Sequence, residues 1–96
     1  MDSKSYQLIG MAARARKIAV GSIAIEAIRS RKAKLAILSE DASDRTKKQV
    51  TNKCDFYGVN LVYADSREML SNAIGKSNIV VVAVLDEGLA KGIVEK

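Results

Sequence analysis

The residue types able to do chemistry are few and unevenly placed. The chain has no histidine and one cysteine, Cys54. A thiol with no imidazole to take its proton is a poor nucleophile. Cys54 also falls on the apolar side of a predicted helix, so a buried structural thiol is expected. The same counts exclude a Cys/His metal site. Carboxylates pair at Glu40-Asp41 and at Asp86-Glu87. Such a pair can hold a divalent cation or divide acid and base roles. Each pair, however, stands just ahead of a predicted helix, where acidic side chains cap free N–H groups and favour the dipole, and capping is the reading adopted. Gly75-Lys76-Ser77 has the ending of a phosphate-binding loop, but that loop needs a glycine at position 70, which is Leu70. The triplet therefore reads as a helix stop and a charged turn. No catalytic residue, metal ligand or cofactor site is expected.

The chemistry that remains is cationic. Residues 1–53 hold twelve Lys/Arg against five Asp/Glu, a net +7, and residues 54–96 carry −2, within a total of +5. Arg14, Arg16 and Lys17 close one predicted helix, and Arg29, Arg31, Lys32 and Lys34 close the next. Basic residues at a helix C-terminus offset its dipole, which accounts for one or two of these side chains and not for seven. A polyanion is the natural partner. With one Phe and three Tyr, a broad aromatic platform for single strands is not expected. Structured RNA, met through shape, phosphate and a helix N-terminus, suits this composition better.

The elements that must position these residues alternate. From Ser5 to Ala15, an inward stripe of Leu8, Met11, Ala12 and Ala15 marks a helix. Ile18-Ala19-Val20 reads as a short strand stopped by Gly21. Ser22 is placed to cap a second helix with Ile25 and Ile28 inward. Ala33 to Leu38 is apolar throughout, as a central strand requires. A third helix starts near Ser43 or Asp44, faces inward with Val50, Cys54 and Tyr57, and turns at Gly58. Val59 to Tyr63 forms the next strand. Asp65 with Glu68 resembles a capping box for a helix carrying Met69, Leu70, Ala73 and Ile74 up to Gly75. Ile79 to Leu85 is a second doubly buried strand, and a last helix holds Leu89, Ala90 and Ile93. A helix between every pair of strands predicts an α/β fold, a three-layer αβα sandwich. In that arrangement the basic group before Ile18 and the one before Leu35 are expected to converge.

Ninety-six residues, 48% of them hydrophobic, suffice for one domain over 1–96 with a core that needs no staple. One cysteine forms no internal disulfide, and the start lacks a signal-peptide pattern. A cytoplasmic protein is therefore expected. No apolar run nears the length of a spanning helix, so no membrane partner is expected.

Several stretches, in order along the chain, carry a resemblance. They are Leu8 to Lys17, then Gly21, then Arg29 to Ser43, then Thr46-Lys47-Lys48, Ser66-Arg67-Glu68, Ala73 to Lys76 and Asp86 to Lys91. Taken together the chain resembles the kink-turn RNA-binding ribosomal protein family, whose members include archaeal and eukaryotic large-subunit proteins, and most closely its small bacterial YlxQ-like branch. The resemblance implies a mixed four-stranded sheet within the sandwich. It also implies binding of a sharply bent RNA internal loop with tandem sheared G·A pairs, and a place among ribosome-associated RNA-binding proteins of translation, in a ribonucleoprotein, rather than among enzymes.

By that resemblance, RNA meets the loop and first turn of the second helix. Gly21 and Ser22 match the family pattern there, whereas Ile23 and Ala24 stand where Asn and Glu are typical. Gly21 and Ser22 would offer N–H groups and a hydroxyl to phosphate, and Ile23 and Ala24 would pack on sugar or base edge. Lys17, Arg29 and Arg31 would neutralise phosphates. The loop before the fourth helix, Tyr63-Ala64-Asp65-Ser66-Arg67, would press on an extruded nucleotide, with Asp65 bringing a negative charge near the RNA. Two rivals have other signatures. A protein-interaction module of the same fold, acting on ribosome or translation components, is favoured by Ile23 and Ala24. An enzyme or nucleotide binder lacks the histidine, glycine-rich loop and convergent carboxylates it would need.

Overall fold

The computed structural model describes residues 1–95. Helices and strands alternate as α1 (Ser3–Arg14), β1 (Ile18–Val20), α2 (Ser22–Arg29), β2 (Leu35–Ser39), α3 (Asp44–Tyr57), β3 (Leu61–Ala64), α4 (Arg67–Ile74), β4 (Val81–Val84) and α5 (Glu87–Glu95). The four strands form one mixed sheet in the order β1-β4-β2-β3. β2 and β3 run parallel, while β4 is antiparallel to both β1 and β2. The two inner strands, β2 and β4, are buried along their whole length, as their unbroken apolar runs require.

Period-two alternation divides these strands between two cores. Ala36, Leu38, Val81 and Ala83 face α2 and α3, against Ala24, Ala27, Ile28, Val50 and Cys54. Leu35, Ile37, Val82 and Val84 face α1, α4 and α5, against Ile9, Ala12, Leu70, Ile74, Ala90 and Ile93. The result is an αβα sandwich with two helices on one face and three on the other.

The inward face of α1 differs from the expected stripe. Met11 is 48% exposed and Ala15 is exposed, while Ser5, Ile9, Gly10 and Ala12 are buried. The reason is close packing against two helices at once. A Cβ on Gly10 would lie 3.0 Å from the Ala73 carbonyl oxygen, and one on Gly92 would lie 3.3 Å from Leu8. The seam therefore follows the small residues, and Met11 is left beside Met69, itself 45% exposed, in an open groove between α1 and α4.

Two capping expectations also change. Helix α4 is capped by Ser66, whose Oγ accepts from the Met69 N–H at 3.1 Å, and Asp65 lies one residue outside it. Ser22 is the first residue of α2 and not its cap. The cap position belongs to Gly21, with φ 62° and ψ −134°, a conformation open chiefly to glycine.

Candidate nucleic-acid interface

Because β1, β2 and β3 run in one direction and β4 in the other, the sheet has two distinct ends. One end carries the β1–α2 turn, the β2–α3 turn, the β3–α4 turn and the start of β4. The other carries the α1–β1 and α2–β2 turns and the end of β4. The expected site residues divide between them.

Gly21, Ser22 and Ile23 belong to the first end. The Gly21 N–H donates to the Val81 carbonyl at 3.2 Å, which continues the β1–β4 ladder by one residue and ties the turn to the start of β4. The Gly21 carbonyl then accepts from the Ala24 and Ile25 N–H groups at 3.0 and 3.3 Å, opening the helix. Four helices have a side chain on their first turn. Asp2 accepts from Ser5, Ser43 from Thr46, Ser66 from Met69 and Asp86 from Leu89. Helix α2 has none. Its Ser22 and Ile23 N–H groups therefore have no acceptor among the described residues, at the positive end of the helix dipole. This is the standard arrangement for receiving an anion. Ile23 stands beside them, 66% exposed.

Ala24 does not share that surface. It is fully buried under α2, facing Ala36, Leu38 and Val50, so its side chain has no access to a ligand. The physical reason is helical spacing. Ala24, Ala27 and Ile28 form the i, i+3, i+4 stripe that holds α2 to the sheet, and Ile23 sits one position round the helix from it.

The β3–α4 turn lies at the same end but on the far edge. β3 is three strand positions from β1, roughly 14 Å at the usual spacing. Ala64 is fully buried, and Tyr63 is partly exposed on the edge strand. Asp65 turns toward α1 and away from α2. Its carboxylate accepts from the Tyr6 hydroxyl at 2.9 Å and pairs with the Met1 ammonium at 3.4 Å, while its own N–H donates to Tyr6 Oη at 2.9 Å. The Tyr6 hydrogen bond, followed by the Met1 charge, holds the Asp65 carboxyl below the usual range. Burial pushes the Tyr6 phenol upward. The charge on Asp65 is thus engaged in closing the N-terminus onto β3.

Arg67 reaches from this turn to the β2–α3 turn and the α4–β4 loop. Its N–H and its guanidinium hold Asp41 Oδ1 and the Asp41 carbonyl, both at 2.9 Å, and Nη1 donates to Asn78 Oδ1 at 3.3 Å. One side chain therefore fastens the β2–α3, β3–α4 and α4–β4 turns together. The α4–β4 segment leads directly into Val81, the partner of Gly21. Its residues Lys76, Ser77 and Asn78 are all exposed, and Asn78 has a positive φ of 58°. This loop, read from sequence as a simple stop and turn, is the neighbour that topology gives to α2. Arg45, Lys47 and Lys48, on the first turns of α3, supply further cations at this end.

Lys17, Arg29 and Arg31 are at the other end. Helix α2 has eight residues, about 12 Å of rise, between Ser22 and Arg29. Arg29 is exposed and pairs with Glu26 at 3.3 Å. The Arg31 guanidinium sits 6.0 Å from the centre of the Tyr57 ring. The expected convergence of the two basic groups does occur there. The Leu85 N–H donates to the Lys17 carbonyl, and the Lys34 N–H donates to the Val84 carbonyl, both at 2.7 Å. Lys17 and Lys34 therefore flank the end of β4, roughly 10 Å apart across two strand spacings. What does not occur is convergence of this group with Gly21.

Among the described residues no group of three or more His, Cys, Asp or Glu side chains is placed to hold a metal ion, and no helix is long and apolar enough to cross a membrane. Cys54 is buried, and burial raises its thiol pKa to about 11.

Residues 3–94 match the model of the Ribosomal protein L7Ae/L30e/S12e/Gadd45 family. The chain belongs to this family. It is 46% identical over 90 residues to RNA-binding protein YlxQ of Bacillus subtilis (strain 168), covering 93% of this chain and 90% of that one. It is 38% identical over 89 residues to RNA-binding protein YlxQ of Enterococcus faecium, covering 92% and 85%. A solved structure described as a protein with unknown function from Bacillus halodurans C superposes with a TM-score of 0.92 at 36% identity, over 97% of this chain and 95% of that one. The Giardia lamblia 15.5kD RNA binding protein superposes with a TM-score of 0.83 over 98% and 88%. At 23% identity, that likeness speaks for the fold alone.

Proposed function

We propose that this chain is a non-enzymatic, cytoplasmic RNA-binding protein that associates with ribosomal RNA and recognises a kink-turn or a similar sharply bent structured RNA. The observation that carries the reading is the uncapped start of α2, tied through Gly21 to Val81 at the end of the exposed α4–β4 loop. Two N–H groups without an acceptor among the described residues, at a helix N-terminus, suit a phosphate, and Lys76 in the loop that leads to Val81 would add charge. The family and the name of the Bacillus subtilis relative support RNA as the ligand. Ile23 has no group to read a base edge, so it contributes apolar contact with sugar or base, and bent shape together with phosphate positions supplies the discrimination.

The test is an equilibrium titration against a kink-turn RNA and a control with its G·A pairs disrupted, at two salt concentrations. The reading expects tight, salt-dependent binding of the folded motif and weak binding of the control. Equal weak binding of both would leave only electrostatics and refute recognition of the bend. A second reading, a protein-interaction module acting on ribosome or translation components, is favoured by the exposed Ile23. It expects no binding to either RNA.

A further inference from the structure

Two tight turns at the basic end hold arginine in a conformation that favours glycine. Helices α1 and α2 both end in the same hydrogen-bonded turn. The Arg16 and Lys17 N–H groups donate to the Ala13 and Ala12 carbonyls, and the Arg31 and Lys32 N–H groups donate to Ile28 and Ala27. This turn places one residue at left-handed φ, and glycine is its usual occupant. Helices α3 and α4 follow that rule with Gly58 and Gly75, both at φ 71°. At the ends of α1 and α2 the residues are Arg16, φ 59°, and Arg31, φ 61°. Backbone strain kept at two equivalent positions, both filled by the same cation, points to use of the side chains.

Their surroundings agree. Lys17, Lys32 and Lys34 join the two arginines, all exposed and with no ion pair among the described residues. Glu26, Asp55, Asp86 and Glu87 are the acidic residues toward this end; Glu26 pairs with Arg29, and Asp86 is engaged in capping α5. The row does not end in bare charge. Phe56 is 78% exposed, its ring set edge-on to Tyr57 at 4.8 Å, and Tyr57 carries the Arg31 guanidinium. An aromatic ring left in water beside a line of cations is the pairing that holds unpaired nucleotides, the ring stacking a base and the cations following the backbone.

We infer that the sheet end bearing Arg16, Lys17, Arg31, Lys34 and Phe56 is a second RNA-binding surface that takes a short single-stranded segment. It is separate from the α2 N-terminus. Lys17 and Gly21 are four extended residues apart, about 13 Å, at opposite ends of β1. One aromatic platform and a row of roughly 10 Å between Lys17 and Lys34 limit the contact to a few nucleotides. The protein would thereby hold a folded RNA at one end and an unpaired strand at the other. The inference rests on the charge and geometry of this end alone.

The experiment measures binding of a ten-nucleotide oligouridylate and of a plain RNA duplex, at 50 and 200 mM salt. The proteins compared are the wild type, Phe56→Ala, Arg16→Gly/Arg31→Gly and Ile23→Glu. Glycine fits the left-handed turns and Phe56 is a surface residue, so all variants should fold, with melting temperatures within about 5 °C of the wild type. Phe56→Ala should weaken oligouridylate about tenfold and leave the duplex unchanged, as loss of one stacked base implies. Arg16→Gly/Arg31→Gly should make the log–log salt slope for oligouridylate shallower by about 1.4, two phosphate contacts at roughly 0.7 each. Ile23→Glu should leave oligouridylate binding within about twofold, since it alters the other end. Failure of the kink-turn titration with these results intact would sink the proposed function and not this surface. Unchanged oligouridylate binding in Phe56→Ala or in the double glycine variant would overturn the inference, as would a wild type that does not bind oligouridylate.

Discussion

Replacing Gly21 with alanine separates backbone strain from crowding. A Cβ placed on Gly21 meets nothing within 4 Å, and the same holds for Gly58 and Gly75. Steric contact therefore predicts equal and small effects at all three. The backbone predicts otherwise. Gly58 and Gly75 have φ 71° with ψ 33° and 30°, the left-handed helical region that other residues enter at a cost of about 1 kcal/mol. Gly21, at φ 62° and ψ −134°, lies where a Cβ costs about 2–3 kcal/mol. Alanine also restricts the unfolded chain, which returns about 0.5–1 kcal/mol in every case. The expected net losses are then about 1–2.5 kcal/mol for Gly21→Ala and about 0–0.5 kcal/mol for the other two. For a domain of this size that is a fall in Tm of about 5–15 °C against a few degrees or less. Urea denaturation with an unchanged m-value would report the stability term. Because the Gly21 N–H must keep its bond to Val81 while the residue rotates, the first turn of α2 would shift as well. Affinity for kink-turn RNA should therefore fall by more than the lost stability alone explains. The reasoning is refuted if Gly21→Ala is no more destabilising than Gly58→Ala and Gly75→Ala.

Two other perturbations test the site and the core. Ile23→Glu places a carboxylate on an exposed position in the first turn of α2, where the dipole should stabilise the fold by about 0.3–1 kcal/mol, while the same charge should lower affinity for kink-turn RNA at least tenfold by opposing a phosphate. Calorimetry beside a binding titration would check both signs, and undiminished RNA affinity would remove the α2 N-terminus from the interface. Cys54 is 3% exposed, and its thiol pKa is raised to about 11 from 9.0. The folded state therefore holds its proton where the unfolded state has lost it. Stability should be unaffected by this group below pH 9 and should fall by about 2–3 kcal/mol as pH rises from 9 to 11, a loss absent in Cys54→Ala. Native protein at pH 8 should also resist iodoacetamide until denatured, and rapid alkylation of the folded chain would contradict the burial.

The parts of the fold that were legible in the sequence are those where independent signals coincide. Helix α3 has a cap at Ser43, an inward stripe of Val50 and Cys54 and a left-handed stop at Gly58, and each agrees with the others. The unbroken apolar runs of β2 and β4 could hardly be anything but inner strands. Helix α1 misled because its buried seam follows Ser5, Gly10 and Ala12, residues chosen for closeness to α4 and α5, while the more apolar Met11 lies outside it. The larger miss was topological. Local pattern does not reveal that β4 inserts between β1 and β2, and that insertion decides which loop meets Gly21. Without it, the resemblance puts Tyr63 to Arg67 against the RNA, and Gly75-Lys76-Ser77 reads as no more than a helix stop and a charged turn. A helix of eight residues holds its two termini about 12 Å apart, so with Ser22 opening the helix Arg29 and Arg31 stand well away from Gly21. Counting that rise turns one diffuse basic patch into two surfaces with different equipment. Free N–H groups and an exposed Ile23 stand at one end, and strained arginines with an exposed Phe56 stand at the other. An RNA that touches both must bend around the sheet or bring a second strand, and single substitutions at either end should then weaken its binding independently and additively.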